Sequence, residues 1–429
     1  MKSLYAELES KCFVSRSIQH LYQGSRKPDD CPPSKKNATQ LTLSNGYTAL
    51  VYRSAFDLPE SWDHILADDQ YFLSRQYLQA FEQYRPLEMD FAYLSIHHRG
   101  ELLAVMNFQL LTFNTVEQVR SLHINEQDQG WTLIGKRLMR ALLKNMNFNM
   151  IISGATQFTG ENGWACKGIL NKHDEQCQLL DKSIRALAKH LKGEGWRAQA
   201  ALIKDYFQPL DLKNRGYHPF PFMPNMTMEI PAEWQSQEDY LNAMRSKYRV
   251  RARRAFKKAS EIHVREFSLA DIVIHEDELY SLYSEIEEGA DFSMIRVPKD
   301  YFAGLKENMP EAFRLFAYYH QEEMVGFFTT LRNGPELEAH FLGLNNTANL
   351  EYQLYLNMLY HMVEVAIDEG VEKLVFARTA SAIKSSVGAV PQDMHCYMRH
   401  FSPLMNAFFP YVVSYLEPEE DWTPRNPFG

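Results

Sequence analysis

One order of predicted elements runs twice along the chain, and that repeat constrains the fold more than any single motif. In the first half, "FAYLSIHH" and "ELLAVMNFQLLTF" flank a His98-Arg99-Gly100 turn and read as a β-hairpin. A helix "WTLIGKRLMRALLKNM", a strand "NMIISGAT", a helix "DEQCQLLDKSIRALAKHL" and a strand "AQAALIKDY" follow. In the second half "FRLFAYYH" and "EMVGFFTTL" form another hairpin, and "LEAHFLGL" is the next strand. A long helix "LEYQLYLNMLYHMVEVAID" and strands "EKLVFART" and "DMHCYMRH" complete the set. Two copies of one mixed α/β unit fit this order; a short-period solenoid does not. The expected fold class is therefore α/β (mixed α+β), with two tandem domains. Each is a mixed, mostly antiparallel sheet flanked by helices. The expected boundaries are a weakly structured extension over 1–45, a first domain over 46–232, a second over 233–416 and a tail over 417–429. "KPDDCPPSKKN" in the extension is loop chemistry.

Composition narrows the class. At 429 residues the chain exceeds one ordinary core, and 45% hydrophobic residues argue against disorder. No apolar run approaches the roughly 20 residues that span a bilayer. "MKSLYAELESKCF" places acids where a signal peptide has its apolar stretch, so a cytoplasmic location is expected. Cys12, Cys31, Cys166, Cys177 and Cys396 are scattered and form no CxxC pair, so neither a disulfide framework nor a metal site is expected.

Against this acidic background stands "SKYRVRARRAFKKA". Arg245 to Lys258 hold eight Lys or Arg residues and no acid, in a chain of net charge -9. At about 100° per residue, Met244, Tyr248, Ala252, Ala255 and Ala259 share one narrow arc of mostly small residues. Such a helix lies close to its neighbour. Arg245, Arg249, Arg253 and Lys257 form one ridge beside the arc; Lys247, Arg251, Arg254 and Lys258 form the other. Like charges stacked at three- and four-residue steps repel, so counter-charges are required. One reading supplies them from the protein's own acids, the other from a phosphorylated ligand. Nothing matches a helix-turn-helix or zinc module, so DNA is not an expected partner.

Three motifs test further chemistry. "GWTLIGKR" at 130–137 mimics a phosphate loop but has Arg137 where a magnesium-binding Ser or Thr belongs, which excludes a nucleotide triphosphatase. Ser381-x-x-Lys384 has the spacing of penicillin-binding nucleophiles, but the partner motifs SDN and KTG are absent. The same stretch, "RTASAIKSSVGAVP", predicts a strand ending at Ala377 and a short helix from about Ser381, capped by Thr379 or Ser381. Arg378 and Lys384 flank that turn, which predicts an anion or oxyanion pocket. In "LEAHFLGL", alternation puts His340 on the face of Leu342 and Phe341 on the other. Glu287, Glu288 and Asp291 crowd a helix end, and "ATQFTGENG" at 155–163 is a glycine-containing loop after a strand.

The second half resembles the bacterial GNAT-related acyltransferases grouped with the FemAB peptidyltransferases and FemAB-like acetyltransferase domains. The matching pieces are "YLNAMRSKYRVRARRAFKKA", "EYQLYLNMLYHMVEVAIDEG" and "EKLVFARTASAIKSSVGAVPQDMHCYMRH". The first half, with "GATQFTGENG" and "PFPFMPNMTMEIP", is similar to the N-terminal lobe of the same two-lobed proteins. The resemblance spans roughly Tyr47 to Ser414. It implies an N-acyltransferase in which Lys384, with Arg378, stabilises the oxyanion or a bound anion. Lys247, Arg251, Arg254 and Lys258 are the expected phosphate-binding set; Ser381, Thr379, His340 and Tyr355 complete the binding residues. No tightly bound cofactor is implied, and acyl-CoA enters as a co-substrate. The acceptor is the amine of a small molecule, and acyl carrier protein or tRNA are the other donor carriers. A peptidyltransferase using aminoacyl-tRNA and an inactive GNAT-like binding protein stand as alternatives. Two departures bear on these expectations. Ala377 stands where many relatives have Gly before the Arg-Thr pair. Of the pyrophosphate loop Q/R-x-x-G-x-G/A only Gly135 matches, with Gly130 and Leu133 at the other positions.

Overall fold

The first hairpin forms as its turn chemistry dictates. β3 (Met89–His98) and β4 (Glu101–Asn114) pair antiparallel, and Arg99 and Gly100 between them both take positive φ, at 52° and 87°. That is the backbone twist a two-residue hairpin turn requires. In the computed structural model, residues 38–43, 46–114, 147–167, 173–220, 222–289, 295–414 and 422–428 are described. Thr39–Gly429 is one compact unit.

Around this hairpin the described strands build a first sheet. β1 (Thr39–Thr42) pairs β2 (Tyr47–Tyr52), so part of the expected extension is ordered strand. The order then runs β2-β3-β4, followed by β5 (Asn147–Ser153) and β7 (Ala200–Tyr206); β6 (Trp164–Cys166) pairs β4 off this path. β8 (His218–Phe220) closes the far edge. The second sheet has β9 (Asn225–Glu229), β10 (Ile262–Glu266), β11 (Phe313–His320), β12 (Glu323–Asn333), β13 (Glu336–Leu344), β14 (Lys373–Val375) and β15 (Val390–Gln392). Its order is β10-β11-β12-β13-β14-β9-β15. The last strand, β16 (His395–His400), joins the first sheet between β7 and β8.

The two sheets therefore repeat one pattern. Both begin with an antiparallel meander. In each a parallel pair follows, β5 with β7 and β13 with β14, connected by a long helix. Both continue with two antiparallel strands. Two mostly antiparallel sheets flanked by helices are the architecture the element order predicts. The boundary at 232 does not coincide with the sheets, however. β9 precedes that boundary yet lies between β14 and β15, and β16 follows it yet lies between β7 and β8. Each sheet receives one strand from the other half. Edge pairing explains why alternation alone missed this: a strand's pattern marks its buried face, not its partner.

Between the sheets lies a shared aromatic core. Phe72 and Phe158 from the first half stack at 3.8 Å, and Phe158 stacks on His340 at 4.8 Å. Gly304 passes so close to Tyr84 that a β-carbon there would collide with the ring. A polar chain threads this core. His340 Nε2 meets Tyr301 Oη at 3.1 Å, Gln157 donates to Tyr77 Oη at 2.5 Å, and Gln109 donates to Gln157 at 3.0 Å. Burial pushes the His340 imidazole down to about 3 and His361 to about 4. The unfolded chain takes up those protons near pH 6.5 while the folded one does not, so stability must fall as pH drops from about 6.5 toward 4. Urea unfolding at a series of pH values checks this. The acid loss should shrink in His340→Gln relative to the parent at neutral pH.

Candidate functional site

The second sheet opens at one place. β13 pairs β14 only through Glu336–Glu338 with Lys373–Val375; from Ala339 to Leu344 β13 has no strand on that side among the described residues. Beyond that pairing β13 leads on to Gln353 and β14 to Ala382. The carboxyl ends of diverging parallel strands are where α/β folds bind ligands.

The basic helix lies beside this opening. It spans Ser246–Lys258, and Ala252 and Ala255 are fully buried. Asn357 donates to the Ala255 carbonyl at 3.2 Å, and the Phe256 ring meets Tyr360 at 5.2 Å. The small-residue arc thus seats the helix on the long helix Leu354–Asp368, as its spacing predicts. Lys247, Arg251, Arg254, Lys257 and Lys258 line a groove of about 920 Å³ with Arg425. Tyr248, Val250 and Gln353 complete its wall, and no acid lines it. Gln353 takes positive φ, 54°, where the short helix Asn346–Tyr352 turns into the long one. A second groove of about 480 Å³ continues past Tyr248 and Arg425 to Ala382.

The expected neutralisation by the protein's own acids is largely absent. Among the described residues Arg253 alone of the eight cations forms an ion pair, with Glu238 at 2.9 Å. Lys247, Arg251, Arg254 and Lys258, the ridge expected to meet phosphates, face one groove together. Their mutual repulsion is the electrostatic condition for an anion site.

Lys384 is placed differently from the expectation. It is buried, and its Nζ donates to the carbonyls of Phe376 at 2.6 Å, Ala377 at 3.3 Å and Arg378 at 2.6 Å. An ammonium group has three protons, so this one grips the strand end rather than facing an open oxyanion. What it grips is strained. Ala377, Thr379 and Ala380 have φ of 58°, 68° and 52°, left-handed values that cost non-glycine residues roughly 1–2 kcal/mol each. The helix that follows, Ser381–Ser385, has only five residues. Ala380 is its cap residue with no side-chain cap bond, so neither Thr379 nor Ser381 caps it. Ser381 is buried, and Thr379 is exposed at the loop tip. Among the described residues Lys384 is thus held by backbone carbonyls at the turn.

Arg378 is also committed to the protein. Its Nη atoms clasp Asp205 of β7, one at 3.0 Å, its Nε donates to the Met223 carbonyl at 2.7 Å, and its guanidinium lies over the Phe222 ring. Asp205 is fully buried, and Lys204 also pairs with it while donating to Phe158 at 2.6 Å. Burial alone would raise the Asp205 carboxyl, but Lys204 and Arg378 together hold it below the usual carboxylate range. Cys396 Sγ donates to the same carboxylate at 3.1 Å, and burial raises that thiol to about 12.

His340 and Tyr355 lie away from the groove. A β-bulge sets His340 and Phe341 opposite the single residue Thr329, whose Oγ1 bonds both the Phe341 amide and carbonyl. The expected alternation breaks there. His340 and Phe341 both enter the aromatic core, their rings 4.4 Å apart, and Leu342 packs with the other core. Tyr355 packs into the core behind the long helix, its amide held by Asn349 at 2.9 Å. Sequence reasoning missed Arg425, Gln353 and Asp205; only the fold brings these to the groove and its turn. The readings of the 130–137 loop, its helix, Asp291, Cys12, Cys31 and the loop at 27–37 lie outside the described residues. No group of three or more His, Cys, Asp or Glu side chains forms a metal site among the described residues, and no described helix is long and apolar enough to cross a membrane.

Residues 246–385 match the family model of the acetyltransferase (GNAT) domain. This segment is a GNAT domain. It makes the protein an acyltransferase. The match runs from the first residue of the basic helix to the last of the helix that carries Lys384, so both features belong to the GNAT domain. No curated protein matches the chain. Among solved structures, FemX is similar at 13% identity and a TM-score of 0.45, over 75% of this chain and 90% of FemX. A tandem GNAT protein from the clavulanic acid biosynthesis pathway is similar at 8% and 0.42, over 77% and 89%. L-PGS from Bacillus licheniformis is similar at 10% and 0.42, over 77% and 90%.

Two substitutions test the turn of the GNAT domain. Ala377→Gly should stabilise the protein by about 1 kcal/mol, because glycine adopts the left-handed backbone without steric cost. Asp205→Asn should destabilise it by about 3 kcal/mol or more, since buried cations lose their counter-ion. Chemical denaturation measures both.

Proposed function

We propose that the GNAT domain moves an acyl group from a phosphate-bearing thioester, acyl-CoA or acyl carrier protein, to the amine of a small acceptor. One observation carries this reading: a groove lined by cations, without acids, that runs along the basic helix to Gln353 at the start of the long helix. Lys247, Arg251, Arg254 and Lys258 hold the donor's phosphates, and the thioester carbonyl lies toward the opening between the strands. The acceptor amine attacks that carbonyl in its neutral form, and the thiol leaves with a proton. Backbone groups along the unpaired edge of β13 are available to polarise the carbonyl. Lys384 acts by holding the turn 377–380 in shape, a positioning role that replaces the direct one implied by resemblance. No side-chain nucleophile is required.

The basic ridge, Lys247 to Lys258, covers twelve residues of helix, or about 17 Å. That length suits a run of phosphates as well as a single pyrophosphate, and it supports aminoacyl-tRNA as a second reading of the donor. Calorimetric titration with a chain-length series of acyl-CoA thioesters separates the two. Saturable micromolar binding is expected, about 100-fold weaker in Arg251→Ala/Arg254→Ala, since each charge-assisted bond contributes roughly 1.5 kcal/mol. Silence across the series, with binding of charged tRNA that falls steeply with salt, overturns coenzyme A and leaves the second reading.

A further inference from the structure

The C-terminal segment Trp422–Phe428 crosses the GNAT domain and is tied down at three points. Phe428 packs against Trp234 at 5.4 Å and Tyr240 at 5.9 Å. Gly388, at φ 116°, leaves the room: a β-carbon there would strike the Phe428 ring. The Pro427 carbonyl accepts from the amide of Arg245, the residue that begins the basic helix, at 2.8 Å. The Arg425 amide donates to Ser385 Oγ at 3.2 Å, at the end of the helix that carries Lys384. One tie thus holds the start of the basic helix and the other the helix that carries Lys384. The Arg425 side chain is exposed and borders both grooves, the only cation among the described residues that does so. No described carboxylate pairs with it.

We propose that this segment is a strap that completes the anion groove, and that Arg425 is a phosphate-binding residue joining its two ends. The ligand is one with more than one phosphate, its charge running from the basic ridge toward Ala382. The inference rests on the acyl-donor reading but concerns a residue outside the matched domain. A guanidinium at the junction holds a phosphate bidentately, and the backbone ties fix it there before the ligand arrives. Phe428 acts only as the strap's anchor.

The test is titration of the full chain with coenzyme A and, separately, with inorganic pyrophosphate. Arg425→Ala should weaken coenzyme A binding about tenfold with an unchanged melting temperature, and Arg425→Lys should recover part of it. Arg253→Ala, which removes a cation paired outside the groove, should change nothing. Phe428→Ala should reproduce the loss and expose the Arg425–Asn426 bond to trypsin. Equal affinity in Arg425→Ala and the parent overturns the strap while leaving the acyl-donor reading intact. If coenzyme A fails to bind but pyrophosphate binds and loses affinity in Arg425→Ala, the strap stands and coenzyme A falls as the donor. Binding of neither probe overturns both.

Discussion

Asp205 is an anion buried where the two sheets meet, and much of the protein is arranged around keeping it charged. Lys204 reaches it from the same strand, Arg378 from the turn after β14, and the Cys396 thiol from the strand lent by the other half. A buried carboxylate without these partners would cost several kcal/mol, so none can leave alone. The ion cluster therefore fixes the direction in which Arg378 leaves β14. With Arg378 fixed on one side and Lys384 beneath, Ala377, Thr379 and Ala380 are held in left-handed conformations that non-glycine residues would not adopt unaided. The strain is local, and its support comes from the first half of the chain.

This assigns the first sheet a role in the site that does not depend on its binding anything. It braces the turn beside the groove. The basic helix is supported from the other side, by the long helix under its small-residue arc. The groove's cations are thus mounted on rigid elements, which keeps their mutual repulsion from being relieved by movement.

Several of these features were legible in the sequence. Helical spacing sorted Ala252 and Ala255 inward and put Lys247, Arg251, Arg254 and Lys258 on one ridge, because a helix's faces follow from its period alone. The Arg99-Gly100 turn and the doubled sheet order followed from local chemistry in the same way. Other features were set by contacts distant in sequence. A bulge opposite Thr329 turned His340 away from its expected face. Lys384 was read as a catalytic group from the family resemblance and its place at a strand-to-helix turn, yet its partners are backbone carbonyls that carry no side-chain signature. Asp205 and Arg378 lie 173 residues apart and meet only in the fold.

The exchange of β9 and β16 bears on how such a chain comes into being. β16 is flanked by β7 and β8, both made nearly two hundred residues earlier. The first sheet therefore keeps an unfilled slot between them until residue 400 has been made, and pairing of such large sequence separation forms slowly. During synthesis the early half waits, with two strand edges open, for β16. Neither sheet is complete until it has received its strand from the other half.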